Sequence, residues 1–69
     1  MTEIQLMVNG EARTIAAPAT LENLLTGLRL DPRMVVVELN REIIRRPQLG
    51  SILLKSGDSI ELVHFVGGG

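Results

Sequence analysis

The residues best suited to chemistry stand at the end of the chain, where the apolar run His64-Phe65-Val66 passes into Gly67-Gly68-Gly69 and a terminal carboxylate. A carboxylate is a poor electrophile because its oxygens are poor leaving groups. Conversion by a partner into an acyl group with a better leaving group would let a nucleophile attack it. Glycine suits the approach to such a partner, because a chain without Cβ atoms lies extended in a channel too narrow for other residues. Three such residues reach roughly 10 Å beyond a fold at full extension. Gly-rich ends also arise as frayed termini or expression scars, so the rest of the chain has to decide between these origins.

No other group forms a catalytic constellation. His64 is the single histidine and the chain has no cysteine, which removes a His pair for metal, thiolate ligands, a thiol nucleophile and disulfides. No metal and no catalytic residue are expected. Ser51, Ser56 and Ser59 sit in turn-like contexts with no motif presenting a hydroxyl to a base, and Asp31 and Asp58 read as turn acids. Lys55 is the only lysine.

A chain of 69 residues makes one domain around one small core, which leaves little room for an active-site cleft. Its composition is 45% hydrophobic, mostly Leu, Ile and Val with one Phe, and predicts a compact aliphatic interior. The net charge of −1 and the absence of a basic face with interleaved aromatics argue against nucleic acid. Met1-Thr2-Glu3-Ile4 lacks a basic leader, and the longest unbroken apolar run inside the chain is residues 34–37. The expectation is a soluble cytoplasmic protein with no membrane partner.

The elements that must position the tail follow from periodicity. Ile4, Leu6 and Val8 alternate with Glu3, Gln5 and Met7, and Asn9-Gly10 predicts a tight hairpin into a second strand over residues 11–16. Thr20 is placed to cap a helix whose Leu21, Leu24, Leu25 and Leu28 share one face. Gly27 weakens this helix and Pro32 stops it, so its end is expected near Arg29 or Leu30. Residues 34–39 read as a third strand, turning at Asn40-Arg41 into a short fourth over 42–45 that Pro47 confines to a sheet edge. A connector with a helical turn at residues 50–54 and the turn Ser56-Gly57-Asp58 lead to a last strand over 59–66. The fold class is α+β, a mixed sheet of four to five strands packed on one helix.

This order resembles the ubiquitin-like β-grasp fold. Within it, the Asn-Gly hairpin, the Val-Val-Glu-Leu-Asn-Arg-Glu-Ile-Ile segment, the Ser-Gly-Asp turn and the Phe-Val-Gly-Gly-Gly ending are similar to the ThiS family of thiamine-biosynthesis sulfur carriers. The likeness spans the whole chain and divides it into a β-grasp domain, 1–66, and a flexible glycine tail, 67–69. It implies that an E1-like adenylyltransferase of the ThiF type activates Gly69 with ATP, while the chain itself binds no cofactor. A sulfur donor system then yields a thiocarboxylate, whose sulfur passes to a thiazole synthase of the ThiG type. Gly67 and Gly68 would enter the partner's active site. The chain is then a carrier and co-substrate, and not an enzyme. The molybdopterin synthase small subunit shares the fold and ending, and a ubiquitin-like modifier or an inert β-grasp interaction module are rivals of another class.

A carrier needs a docking surface, and strand parity suggests one. Glu61 is expected to face outward, which puts Val63 and Phe65 on its side and Ile60 and Leu62 inward; Glu38 likewise puts Met34 and Val36 outward. Met34, Val36, Val63 and Phe65 are therefore the expected partner-docking patch, although such residues also serve to complete a core or cover a strand edge. Arg41, Arg45 and Arg46 cluster around the fourth strand, either as a solvated face or to meet an acidic partner.

Overall fold

The computed structural model describes residues 2–65. Strands β1 (Thr2–Val8) and β2 (Glu11–Ala17) pair antiparallel in full register, from Thr2 opposite Ala17 to Val8 opposite Glu11. Asn9 and Gly10 join them with φ of 50° and 81°. Both central residues of this two-residue turn are left-handed, the geometry that Asn and Gly adopt at least cost and that matches the twist of the strands.

Helix α1 (Leu21–Gly27) starts at a reciprocal cap: the Thr20 hydroxyl accepts from the Asn23 N–H at 3.0 Å, and the Asn23 side chain accepts from the Thr20 N–H at 2.9 Å. It ends before the expected position. The Arg29 N–H donates to the Thr26 carbonyl, the Leu30 N–H donates to the Leu25 carbonyl at 2.9 Å, and Arg29 takes a φ of 61°. This left-handed closure consumes the free carbonyls of the last turn, so the helix is finished before Pro32 can interrupt it.

Pro32 instead opens a 3-10 turn, Pro32–Met34, capped by Asp31. That turn takes Met34 out of the third strand, so β3 is Val35–Leu39. β4 is Glu42–Ile44, one residue shorter than expected, because Arg45 leaves the ladder to lead a second 3-10 turn, Arg46–Gln48, with Pro47 in its first turn. The helical turn expected at residues 50–54 lies at that earlier position. The segment from Leu49 to Leu54 is held against the start of α1, where the Leu21 and Glu22 N–H groups donate to the Ile52 and Leu49 carbonyls and the Leu54 N–H donates to that of Ala19. Peptide groups committed to the open end of a neighbouring helix are not available for a helical turn of their own.

β5 (Ser59–His64) is the central strand of a five-stranded sheet ordered β2-β1-β5-β3-β4, parallel to β1 and antiparallel to β3. The inward residues of the sheet meet Leu21, Leu24 and Leu25 of α1, with Leu49 and Leu54 sealing the end. Leu21, Leu25 and Ile60 are fully enclosed. Each such aliphatic side chain is worth about 1.5 to 3 kcal/mol of burial, which is how a chain without disulfides holds together. This is the expected mixed sheet on one helix, and none of the helices among the described residues is long and apolar enough to cross a membrane.

Candidate functional site

The candidate site is the outer face of β5 and β3. Ile60 is buried and Leu62 half-buried against the core, so Glu61, Val63 and Phe65 turn outward, with Val63 61% and Phe65 49% exposed. Antiparallel register sets Val36 opposite Val63 and Glu38 opposite Glu61. Past the end of the ladder the Phe65 N–H donates to the Met34 carbonyl at 2.7 Å. Val36, Val63 and Phe65 thus lie on one sheet face; Met34, expected beside them, sits in the 3-10 turn at its end and meets Phe65 through its carbonyl, and both Met34 and Val36 are half-buried. β4 extends the face with Ile43, opposite Glu38 and 68% exposed, a residue whose outward position follows from the same parity but which sequence reasoning did not include.

Two asparagines in left-handed turns fix β5 from either side. The Asn9 side chain accepts from the Leu62 N–H at 2.7 Å and donates to the Leu62 carbonyl at 3.2 Å, extending the β1 edge past the two residue pairs that the β1–β5 ladder itself supplies. On the other side Asn40, with a φ of 50°, accepts from the Ser59 N–H at 2.9 Å and donates to Asp58 at 3.0 Å. Asp58 is buried, and its second oxygen accepts from the Lys55 N–H at 2.7 Å. The turn acid expected at Asp58 is therefore also the post on which the start of β5 is hung.

The remaining sequence candidates are placed as follows. Asp31 caps its turn and pairs with Arg33 at 2.8 Å; the Arg33 hydrogen bonds hold its carboxyl at about 2, below the ordinary 3.8. Arg41, Arg45 and Arg46 are exposed around β4. His64 is exposed and pairs in register with Val35, and among the described residues no group of three or more His, Asp or Glu is arranged to hold a metal. A cleft of about 280 Å³ between β2 and α1 has Arg13 as its one charged lining residue, and a second of about 300 Å³ beside Gln5 and Met7 has none. Gly67, Gly68 and Gly69, expected to carry the chemistry, lie outside the described residues, as does the 66/67 boundary between domain and tail. What the structure contributes to their reading is the approach: β5 delivers Phe65 at the Met34 end of an exposed apolar face.

Comparison with known proteins agrees with this architecture. The family model of the ThiS family matches residues 6–69. The sulfur carrier protein ThiS of Bacillus subtilis is 44% identical over 50 residues, 72% of this chain and 76% of that one. The crystal structure of the thiamine biosynthesis protein ThiS from Geobacter metallireducens superposes with a TM-score of 0.81 at 35% identity, covering 96% of this chain and all of the other. The thiazole synthase of Magnetococcus marinus is 42% identical over 66 residues; these are 96% of this chain but 20% of that relative, so the chain spans a fifth of its length.

Proposed function

The chain belongs to the ThiS family, and from that premise we propose that it is the sulfur carrier of thiazole formation in thiamine biosynthesis, with the carboxylate of Gly69 as the group carried. The observation that carries this reading is the exposed apolar face of β3 and β5, which ends at Phe65, separated from Gly67-Gly68-Gly69 in the sequence by one residue. A carrier has to present a surface to be gripped and a thin chain to be inserted, and these two features are adjacent in this sequence.

In the proposed cycle a ThiF-type adenylyltransferase grips the face, and Gly67 and Gly68 enter its active site. The Gly69 carboxylate attacks the α-phosphate of ATP and expels pyrophosphate. Sulfide-level sulfur from the donor system then attacks the acyl adenylate and expels AMP, which leaves a thiocarboxylate; a persulfide donor would give an acyl disulfide that a thiol must then cleave to the same product. Thiazole synthase takes the sulfur, and an oxygen from water or from the acceptor substrate replaces it, so the carboxylate is restored. A thiazole synthase that contains a segment similar to this chain supports that enzyme as the recipient. ATP is used by the partner and is not held here, and the whole cycle runs in the cytoplasm. The chain supplies binding and orientation of a tethered acyl group, which makes it a co-substrate of its partners.

The test is the intact mass of the protein after incubation with the adenylyltransferase, ATP and a sulfur donor, beside a variant lacking Gly69. A gain equal to replacing one oxygen by sulfur, absent from the variant, is expected. No gain with an enzyme active on another carrier would refute the proposal.

A further inference from the structure

The outer face carries a charge arrangement that the fold does not require. Glu38 on β3 stands directly opposite Glu61 on β5. Both hydrogen bonds of the adjacent Leu62 peptide point away from β3, to Asn9. In the alternating antiparallel ladder Glu38 and Glu61 therefore form a hydrogen-bonded pair, with Cα atoms about 5.5 Å apart. Like charges set directly opposite on one face weaken the pairing of their strands. No ion pair relieves them among the described residues, where the ion pair is Arg33 with Asp31, and Arg41 and Arg45, on the neighbouring edge, make none with either glutamate.

The ground around the two carboxylates is apolar. Val36 and Val63 precede and follow them on the same face, and Ile43 stands beside Glu38 on β4. A protein that covers these side chains also strips water from the glutamates, and two carboxylates without water are costly unless a cation meets them. A guanidinium is planar with a fork of N–H donors, so a single arginine can engage both carboxylates at this spacing, where an ammonium is only a point charge.

We propose that Glu38 and Glu61 together form the receptor for one arginine on the apolar surface of the docking protein, with Val36, Val63 and Ile43 excluding water around it. The identity of that protein as the adenylyltransferase rests on the carrier reading; the chemistry of its contact residue rests on the two facing carboxylates.

Calorimetric titration of the whole chain against the purified adenylyltransferase tests this, at low and high salt, with the natural sequence, Glu38→Gln, Glu61→Gln and the double variant. Each single change weakens binding about tenfold or more. The double variant loses clearly less than the product of the two, because both glutamates meet the same cation. The thermal midpoints stay level or rise as the repulsion is relieved, which separates lost binding from lost folding. Equal affinities in all four proteins overturn the inference, and so do losses that simply multiply, since those mean two separate contacts. The mass assay on the same samples keeps the two ideas apart. Glutamate-dependent binding without sulfur gain sinks the carrier and keeps the receptor, whereas sulfur gain with glutamate-independent binding does the reverse. A natural sequence that does not bind the enzyme at all overturns both.

Discussion

The side-chain amide of Asn9 completes both hydrogen bonds of the Leu62 peptide, donor to carbonyl and carbonyl to N–H. β1 and β5 share only the register pairs Met7 with Ser59 and Val8 with Ile60, so beyond Val8 a side chain stands in for missing backbone. The half of β5 that presents Val63 and Phe65 is anchored to β1 by this one residue.

Asn9→Asp isolates that anchor. Aspartate tolerates the positive φ and still accepts from the Leu62 N–H, but it places an oxygen against the Leu62 carbonyl in place of a donor. The expected cost is about 1 to 2 kcal/mol, a fall in the thermal midpoint of roughly 5 to 10 °C for a domain of this size. Hydrogen exchange at the Leu62 amide should quicken more than at the β1–β2 hairpin. Uniform exchange with an unchanged midpoint would mean that the sheet holds β5 without the asparagine.

The Asp31 carboxyl should titrate near 2 by NMR, because the Arg33 side chain and then its backbone N–H both favour the charged form. In Arg33→Ala the midpoint should rise toward the ordinary value yet remain below it, since the backbone bond survives. The sign follows from linkage: a carboxyl whose folded value lies below its unfolded one adds stability above the unfolded value, lost as pH falls through about 2. The pair is exposed, so its thermal effect should be small and shrink further with salt. An Asp31 midpoint that ignores the arginine would sink this account.

Much of this arrangement is legible in the sequence, because the relevant signals are local. The alternation of Ile4, Leu6 and Val8, the Asn9-Gly10 turn, the Thr20 cap and the leucine stripe each fix an element through its own residues. The outward parity of Val63 and Phe65 follows once Glu61 is taken as exposed. What escaped sequence reasoning depends on an atypical residue in one local turn and, for the rest, on contacts distant in the chain. The early end of α1 relies on an arginine, not a glycine, in the left-handed position. The course of residues 49–54, a turn through Ser51 and then a bridge from Leu53 to Thr20, is fitted to the open end of that helix. Asn9 and Asn40 read as turn residues, and their second role as clamps on β5 becomes visible only when the strands are assembled. The signal that could have found them is that both turns carry asparagine, whose side chain mimics a peptide.

Phe65→Glu should leave the fold intact and weaken docking. The ring is half exposed, and its N–H bond to Met34 does not involve the side chain, so the backbone geometry tolerates the change. Circular dichroism should match the natural sequence while affinity for the adenylyltransferase drops by about tenfold or more, the usual consequence of losing an aromatic anchor. Loss of the folded spectrum would move Phe65 from the docking face into the core.

Asp58→Asn tests the other clamp. Both Asp58 oxygens accept, from the Asn40 amide and from the Lys55 N–H, in a position only 6% exposed. An asparagine there has one oxygen, so its amide nitrogen must face one of those donors. Asn40 cannot resolve the conflict by turning its amide over, because its own oxygen is already engaged by the Ser59 N–H. A buried donor is therefore left without a partner, at a cost of about 1 to 3 kcal/mol. Because Asn40 and Asp58 act through one bond, the effects of Asn40→Ala and Asp58→Asn should overlap and not add. Thermal melts of the two single variants and the double variant decide this: additive losses would show that Asn40 holds Ser59 independently, and that the start of β5 has two supports in place of one.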